Sequence, residues 1–230
     1  MITTKFERVA PEWIEKARPF QAAILADVAG RRGGLSGRIR ALHPAMRVFG
    51  PAFTVEVRPG DNLMIHTALM LAQPGDVIVV DGKGDLSCAL TGGLMAAHAK
   101  KAGIAGFVID GAVRDVAECA AGDFAIFAAG FNPNGPSKHL AGRINGPIAA
   151  GGIAVEPGDL VVGDADGVTV IPRLLVPFVI DQAQAKVDAE SRRLADIDQG
   201  HLLPDFLNAS LRQAGLISPD QDWQSLRTSG

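Results

Sequence analysis

The stretch from Gly106 to Asp115, G-F-V-I-D-G-A-V-R-D, constrains this chain more than any other. Phe107-Val108-Ile109 is a continuous apolar run of the kind that fills a parallel strand buried on both faces, and Asp110-Gly111 predicts the turn that ends it. A second such run, Val77 to Val80, lies upstream, and between the two Gly92-Gly93 opens a helix over Leu94 to Ala102. Strand, helix and strand within about 30 residues form a right-handed βαβ unit. In such a unit the Gly92-Gly93 turn and Arg114-Asp115 share the C-terminal edge of the sheet, where open α/β sheets bind ligands. The free N–H groups of a helix N-terminus suit an anion. Arginine is a planar fork for carboxylates, and aspartate is a hard oxygen ligand for Mg²⁺ or Mn²⁺. The competing reading is an ion pair in a solvated loop.

The rest of the chain fits one large domain. Its 230 residues are 47% apolar and 20% charged, with 27 glycines and no tyrosine, as in a compact α/β protein built on aliphatic strands and glycine turns. A net charge of -3 without a long basic block excludes the electrostatic footprint of a nucleic-acid binder. The arginines at 31, 32, 38, 40 and 47 read as a solvated surface. Cys88 and Cys119 have neither a C-x-x-C spacing nor the number for a disulfide framework, and are expected to be free core thiols. Met1 to Arg8 lacks the apolar segment of a secretory leader, and no run reaches the roughly 18 apolar residues of a membrane span, so a cytoplasmic protein without membrane partners is expected.

Along the chain, Pro11 to Ala29 predicts two short helices broken at Pro19. Ile39 to Leu42 and Val48 to Val57 predict strands, and Asp61 caps a helix over Asn62 to Ala72 that places Asn62 and His66 on one face. Asp81 to Asp85 is a loop that lacks the first glycine of a phosphate-binding P-loop. Phe124 to Ala128, Ile148 to Val155, Leu160 to Val162 and Gly167 to Ile171 predict strands, followed by a long helix from Leu174 to Gln199. A last short helix is placed over Asp205 to Ala214.

The segments G-D-N-L-M-I-H (60 to 66), P-G-D-V-I-V-V-D (74 to 81), A-G-F-V-I-D-G-A-V-R-D-V (105 to 116) and P-G-D-L-V-V-G-D-A-D-G-V (157 to 168) together resemble the class II pyruvate aldolases. More closely, they resemble the 4-hydroxy-4-methyl-2-oxoglutarate and 4-carboxy-4-hydroxy-2-oxoadipate aldolases, whose fold is shared by the regulators of ribonuclease E activity. The resemblance spans roughly residues 20 to 200. It implies an α/β/α sandwich of the swivelling β/β/α type with a parallel-rich central sheet and a C-terminal helix. It also implies assembly as homotrimers or homohexamers with sites at subunit interfaces. Residues 1–200 would form the aldolase-like domain, and 201–230 a tail that packs on a neighbouring subunit.

In that family the aspartate after the arginine holds the divalent metal, which corresponds to Asp115, and Arg114 grips the pyruvyl part of the substrate. The backbone amides of Gly92, Gly93, Leu94 and Met95 match the turn that receives the substrate carboxylate. Asn62 and Lys138 match positions that face substrate, and Asp27 and Glu190 match acidic positions contributed across the interface. For Asp27 and Glu190 the residues alone also allow a helix cap and a solvated helical pair.

The chain departs from the family in one place. The aldolases carry an acidic residue 21 positions before the arginine, where it orients metal-bound water and serves proton transfer, and here that position is Gly93. Asp85 and His66 are the candidates to replace it. The expected activity is a Mg²⁺- or Mn²⁺-dependent cleavage of a 4-hydroxy-2-oxo di- or tricarboxylate to pyruvate and a second oxo acid, with oxaloacetate decarboxylation through the same enolate. The alternative is a regulator-like ring that acts by protein binding.

Overall fold

The computed structural model describes residues 1–227, so the last three positions of the expected tail lie outside the described residues. The chain divides into two compact units, Met1–Lys186 and Val187–Gly230. In chain order the elements are α1 (Pro11–Ala17), α2 (Ala22–Val28), β1 (Arg40–Ala41), β2 (Val48–Glu56), α3 (Leu63–Leu71), β3 (Val77–Asp81), β4 (Ala89–Thr91), α4 (Gly93–Lys101), β5 (Gly106–Val113), α5 (Val116–Ala121) and β6 (Ala125–Phe131). They continue with β7 (Arg143–Ile144), β8 (Ile148–Ala150), β9 (Ile153–Val155), β10 (Leu160–Asp164), β11 (Gly167–Ile171), α6 (Val176–Asp198), α7 (Leu207–Gln213) and a 3₁₀ turn at Trp223–Arg227.

The main sheet runs β1-β6-β5-β3-β2-β10-β11. Its centre is parallel, with Val77 opposite Gly106 and Phe107 opposite Ile126, and antiparallel strands lie to either side. The two ends, β1 and β11, approach one another, so the sheet is nearly closed. Strand periodicity divides the core in two. Phe53, Val55, Ile78, Val80, Phe107 and Ile109 face α3 and α4, where Ile65, Ala68, Met95 and Ala99 cover them. Val77, Val79, Val108 and Phe127 face the other way, toward Val161, Val170 and the β8–β9 hairpin. A helical layer on one face and curled strands on the other give the swivelling β/β/α arrangement of a mixed α/β fold. Phe53, Phe107 and Phe127 are fully buried, each contributing about 1.5–3 kcal/mol of transfer free energy.

The structure corrects the sequence reading at Asp110-Gly111. No turn forms there, and β5 continues to Val113 through a register irregularity between Ile109 and Ala112. The buried Asp110 carboxylate is fully engaged, by Arg38 at 2.6 Å and by the Gly151 N–H at 2.8 Å. At Gly111 a Cβ would stand 2.8 Å from Leu90 Cδ1, so the buried Leu90 side chain would have to shift to admit one. Arg38 is therefore tied to the core edge and is not part of a free basic surface. The helix after Pro59-Gly60 is capped at Asn62, and Asp61 accepts the Leu63 N–H from one residue further out. Ile148 to Val155 is a hairpin turned at Gly151-Gly152, both in the left-handed region.

Candidate active site

Three chain segments meet at the C-terminal edge of β3 and β5. The three-residue strand β4 pairs in parallel with β5, Ala89 opposite Ala112 and Thr91 next to Val113. The Arg114 N–H then donates to Thr91 O at 3.0 Å. This pairing holds the Gly92-Gly93 turn against Arg114-Asp115. Position 92 has no room for a side chain, because a Cβ would lie 2.5 Å from Asp115 Oδ2 and 2.9 Å from Arg114 Cγ. Gly93 N donates to Asp115 Oδ2 at 3.0 Å, so the N-terminus of α4 grips the aspartate. Asp115 itself adopts a left-handed conformation, φ 57°, which turns the chain sharply from β5 into α5.

These residues border a cavity of about 170 Å³, lined by Asn62, His66, Thr91, Gly92, Leu94, Met95, Arg114, Asp115 and Lys138, with Ala89, Leu90 and Pro136 between them. Among the described residues, the Arg114 guanidinium makes no hydrogen bond, only a 3.7 Å contact with Asp115 Oδ2. Lys138 rides on the loop after β6, which Asp61 fastens by accepting bonds from Ser137 Oγ, the His139 N–H and the Leu140 N–H. Burial works to raise the Asp61 pKa, but these bonds and the one from Leu63 prevail and hold it down at about 2. Burial, then the charges of Lys138 and His98, lower the His66 pKa, which favours the neutral ring.

Among the described residues, two that line the cavity carry a buried polar atom without a partner. Asn62 is 3% exposed, its amide nitrogen donates to Leu90 O at 2.9 Å, and its Oδ1 accepts nothing. Thr91, also 3% exposed, leaves Oγ1 unpaired. Buried groups without partners are costly, about 1–3 kcal/mol each, which is the mark of a wall that a polar ligand or water completes. Of the four amides at the turn, Gly93's is given to Asp115 and Met95's to Gly92 O at 3.1 Å.

The donor set also bears on a metal. Among the described residues no three His, Cys, Asp or Glu side chains cluster as a ligand cage. Asp115, whose Oδ1 takes no hydrogen bond among the described residues, is one carboxylate in a cavity that Asn62 also lines, and this suits Mg²⁺, which keeps several waters and takes one or two carboxylates. It does not suit a structural zinc.

The cavity thus gathers Asn62, His66, Gly92, Leu94, Met95, Arg114, Asp115 and Lys138, and Gly93 adjoins it through the turn. Asp27 is elsewhere on the first unit, paired with Lys186 at 3.1 Å and facing Arg31 at 3.8 Å. Glu190 is exposed on the part of α6 that belongs to the second unit. Asp85 is occupied by Ser87, whose N–H and hydroxyl both bond to its carboxylate. Sequence reading passed over Glu118, whose carboxylate atoms lie 3.0 Å from where a Cβ on Gly93 would stand. The signal was present in R-D-V-A-E, where Asp115 and Glu118 are three apart at a helix start. Cys88 and Cys119 are buried and free.

A model of the RraA-like family, Aldolase/RraA, matches residues 21–170. A protein of Halalkalibacterium halodurans named "Putative 4-hydroxy-4-methyl-2-oxoglutarate aldolase" is 43% identical over 188 residues, which cover 81% of this chain and 90% of that protein. A Burkholderia mallei protein of the same name is 41% identical over 145 residues, covering 59% of this chain and 86% of that one. Among solved structures, Streptomyces coelicolor RraAS2, described as an unusual member of the RNase ES inhibitor RraA protein family, superposes with a TM-score of 0.75 at 29% identity, covering 82% of this chain and 98% of its own.

Proposed function

Because the chain belongs to the RraA-like aldolase family, we propose that it is a divalent-metal-dependent lyase. It cleaves a 4-hydroxy-2-oxo di- or tricarboxylate to pyruvate and a second oxo acid, and decarboxylates oxaloacetate through the same enolate. The observation that carries this reading is the convergence of Arg114, Asp115, Asn62, Lys138 and the α4 N-terminus on one cavity. Asp115 would hold Mg²⁺ or Mn²⁺, which would supply Lewis-acid polarisation of the 2-oxo group.

The chain's own residues perform the rest. Arg114 offers two parallel N–H bonds to the pyruvyl oxygens, and its fixed charge is stronger against the enolate than against the neutral ketone. The helix N-terminus and Lys138 hold the two ends of a dianionic substrate. Asn62 Oδ1 accepts from a hydroxyl or a water, because its amide nitrogen is already committed. Leu94, which lines the cavity, is 87% exposed, and Phe131 near Arg114 is 60% exposed. Apolar side chains left open beside a polar site are in keeping with a homotrimer or homohexamer in which a second subunit closes the site, with Asp27 and Glu190 as its acidic contributions.

The test is pyruvate release from a panel of 4-hydroxy-2-oxo acids and from oxaloacetate, with Mg²⁺, Mn²⁺ or EDTA. Activity that EDTA removes and Mg²⁺ restores is expected. Borohydride added with pyruvate should leave the mass of the protein unchanged, whereas a Lys138 adduct would mean Schiff-base chemistry instead. A second reading, a regulator-like ring acting by protein binding, is favoured by Gly93 and by the likeness to RraAS2. It predicts no turnover of any substrate in the panel.

A further inference from the structure

Retro-aldol cleavage moves one proton twice, and no side chain at position 93 can carry it. The geometry of the turn offers another group. Gly92 and Gly93 form a wall with no side chain, and a carboxylate stands on each: Asp115 Oδ2 lies 2.5 Å from the Cβ position of Gly92, and all three carboxyl atoms of Glu118 lie 3.0 Å from that of Gly93. The substrate cavity reaches this wall at Gly92, and a neighbouring cavity of about 230 Å³, bordered by Glu118, reaches it at Gly93. Among the described residues, Glu118 has no hydrogen bond or ion pair to hold it away. It is exposed and three positions beyond Asp115 at the start of α5, on the same face. That the cavity takes a polar ligand is marked independently by Asn62 and Thr91, residues that line it and are each 3% exposed, whose Oδ1 and Oγ1 have no partner among the described residues.

We propose that Glu118 is the acid/base group of this site, reaching from α5 into the space that a side chain at position 93 would otherwise fill. The assignment rests on the lyase reading. The Glu118 carboxylate takes the proton of the C4 hydroxyl, the C4–O bond becomes a carbonyl, and the C3–C4 electron pair moves into the pyruvate enolate. After the oxo acid leaves, Glu118 returns the same proton to C3 and forms the methyl group of pyruvate. No net proton, electron or co-reactant is required.

Asp85 is engaged by Ser87, and His66 is the competitor, because it lines the cavity and its pKa is lowered, which favours the neutral ring. The assignment also changes what a carboxylate at position 93 should do. With Glu118 in place, Gly93→Asp puts two carboxylates in one space and brings no gain. With Glu118 truncated to alanine, it finds the space empty and a helix N-terminus that favours it.

The experiment follows exchange of the pyruvate methyl protons in D₂O by NMR, with the full-length chain and Mg²⁺, for wild type, Glu118→Gln, Glu118→Ala, Glu118→Ala with Gly93→Asp, and His66→Gln. Pyruvate affinity is measured alongside by calorimetry. Wild type is expected to catalyse exchange. Glu118→Gln should lose about 100-fold or more, the size of a positioned acid/base, with pyruvate affinity kept. Gly93→Asp should restore about 10-fold in the Glu118→Ala background. Exchange in Glu118→Gln within about threefold of wild type, a wild type that does not exchange, or loss confined to His66→Gln would overturn the assignment. Exchange that depends on Glu118 without release of pyruvate from any 4-hydroxy-2-oxo acid would count against the lyase reading and leave Glu118 standing.

Discussion

Ser137 Oγ donates a 2.6 Å hydrogen bond to Asp61 Oδ2, and this contact fastens the loop that carries Lys138 to the start of α3. The His139 and Leu140 N–H groups bond to the same oxygen at 2.7 and 3.1 Å. The folded pKa of about 2 lies below the ordinary 3.8, so the unfolded chain protonates first. The stabilisation is therefore complete above the ordinary value and is lost as pH falls from there through about 2. Asp61→Ala should lower stability by roughly 1–3 kcal/mol at neutral pH and flatten the acid limb of the unfolding curve. Thermal unfolding across that pH range checks it, and an acid limb unchanged by the substitution would remove Asp61 as its source.

His66 gives a second pH signature. Its folded pKa lies below the ordinary 6.5, by burial first and then by the charges of Lys138 and His98. The neutral ring contributes stability above the ordinary value, and this is lost as pH falls below it, because the unfolded chain then binds the proton more readily. Lys138→Ala should move the His66 midpoint upward, toward 6.5. NMR titration of the ring protons reads this directly, and an unmoved midpoint would mean that Lys138 does not face the ring in solution.

Asp115→Ala should abolish the metal-dependent reaction without unfolding the chain. Its side chain is 41% exposed and serves the site, so the expected cost to the fold is the Gly93 bond, about 1 kcal/mol. Activity retained by the variant, or by wild type in EDTA, would sink the metal assignment.

Arg114→Lys should reduce kcat/KM by at least 10-fold, since a point charge cannot reproduce two parallel bonds to a pair of pyruvyl oxygens. Steady-state kinetics decide it. Unchanged constants would return Arg114 to the status of a loop residue.

The elements that sequence displayed best were those whose pattern and burial agree. Phe107 to Ile109 and Val77 to Val80 are buried on both faces and read as parallel strands, and Gly92-Gly93 marks the helix start. The Asp110-Gly111 pair was misleading because a turn signal is local, whereas its carboxylate is satisfied by Arg38 and Gly151, both distant in sequence. Strand β4 escaped because three residues carry no periodicity, although its pairing with β5 is what places Gly92 against Arg114. The cavity residues were legible through the resemblance. Glu118 was legible only as the third residue after Asp115, because its relation to Gly93 is a distance across two helices rather than a spacing along the chain.

Gly92→Ala separates the architecture of the turn from its chemistry. Gly92 is extended, φ -166° and ψ -165°, a backbone that alanine adopts freely, so no backbone strain follows from the change. The new methyl would, however, stand 2.5 Å from Asp115 Oδ2 and 2.9 Å from Arg114 Cγ. Asp115 cannot simply swing aside, because Gly93 N holds that same oxygen and the left-handed backbone fixes its direction. Both side chains must therefore shift together, which costs about 1–3 kcal/mol of overpacking and misplaces the metal ligand and the pyruvyl clamp at once. A misplacement of this order should lower kcat by about 10-fold or more while the chain still folds. Circular dichroism melts and pyruvate-release kinetics on the same preparation test this, and wild-type turnover in Gly92→Ala would show that the contact of Asp115 with the α4 turn is not needed for the reaction.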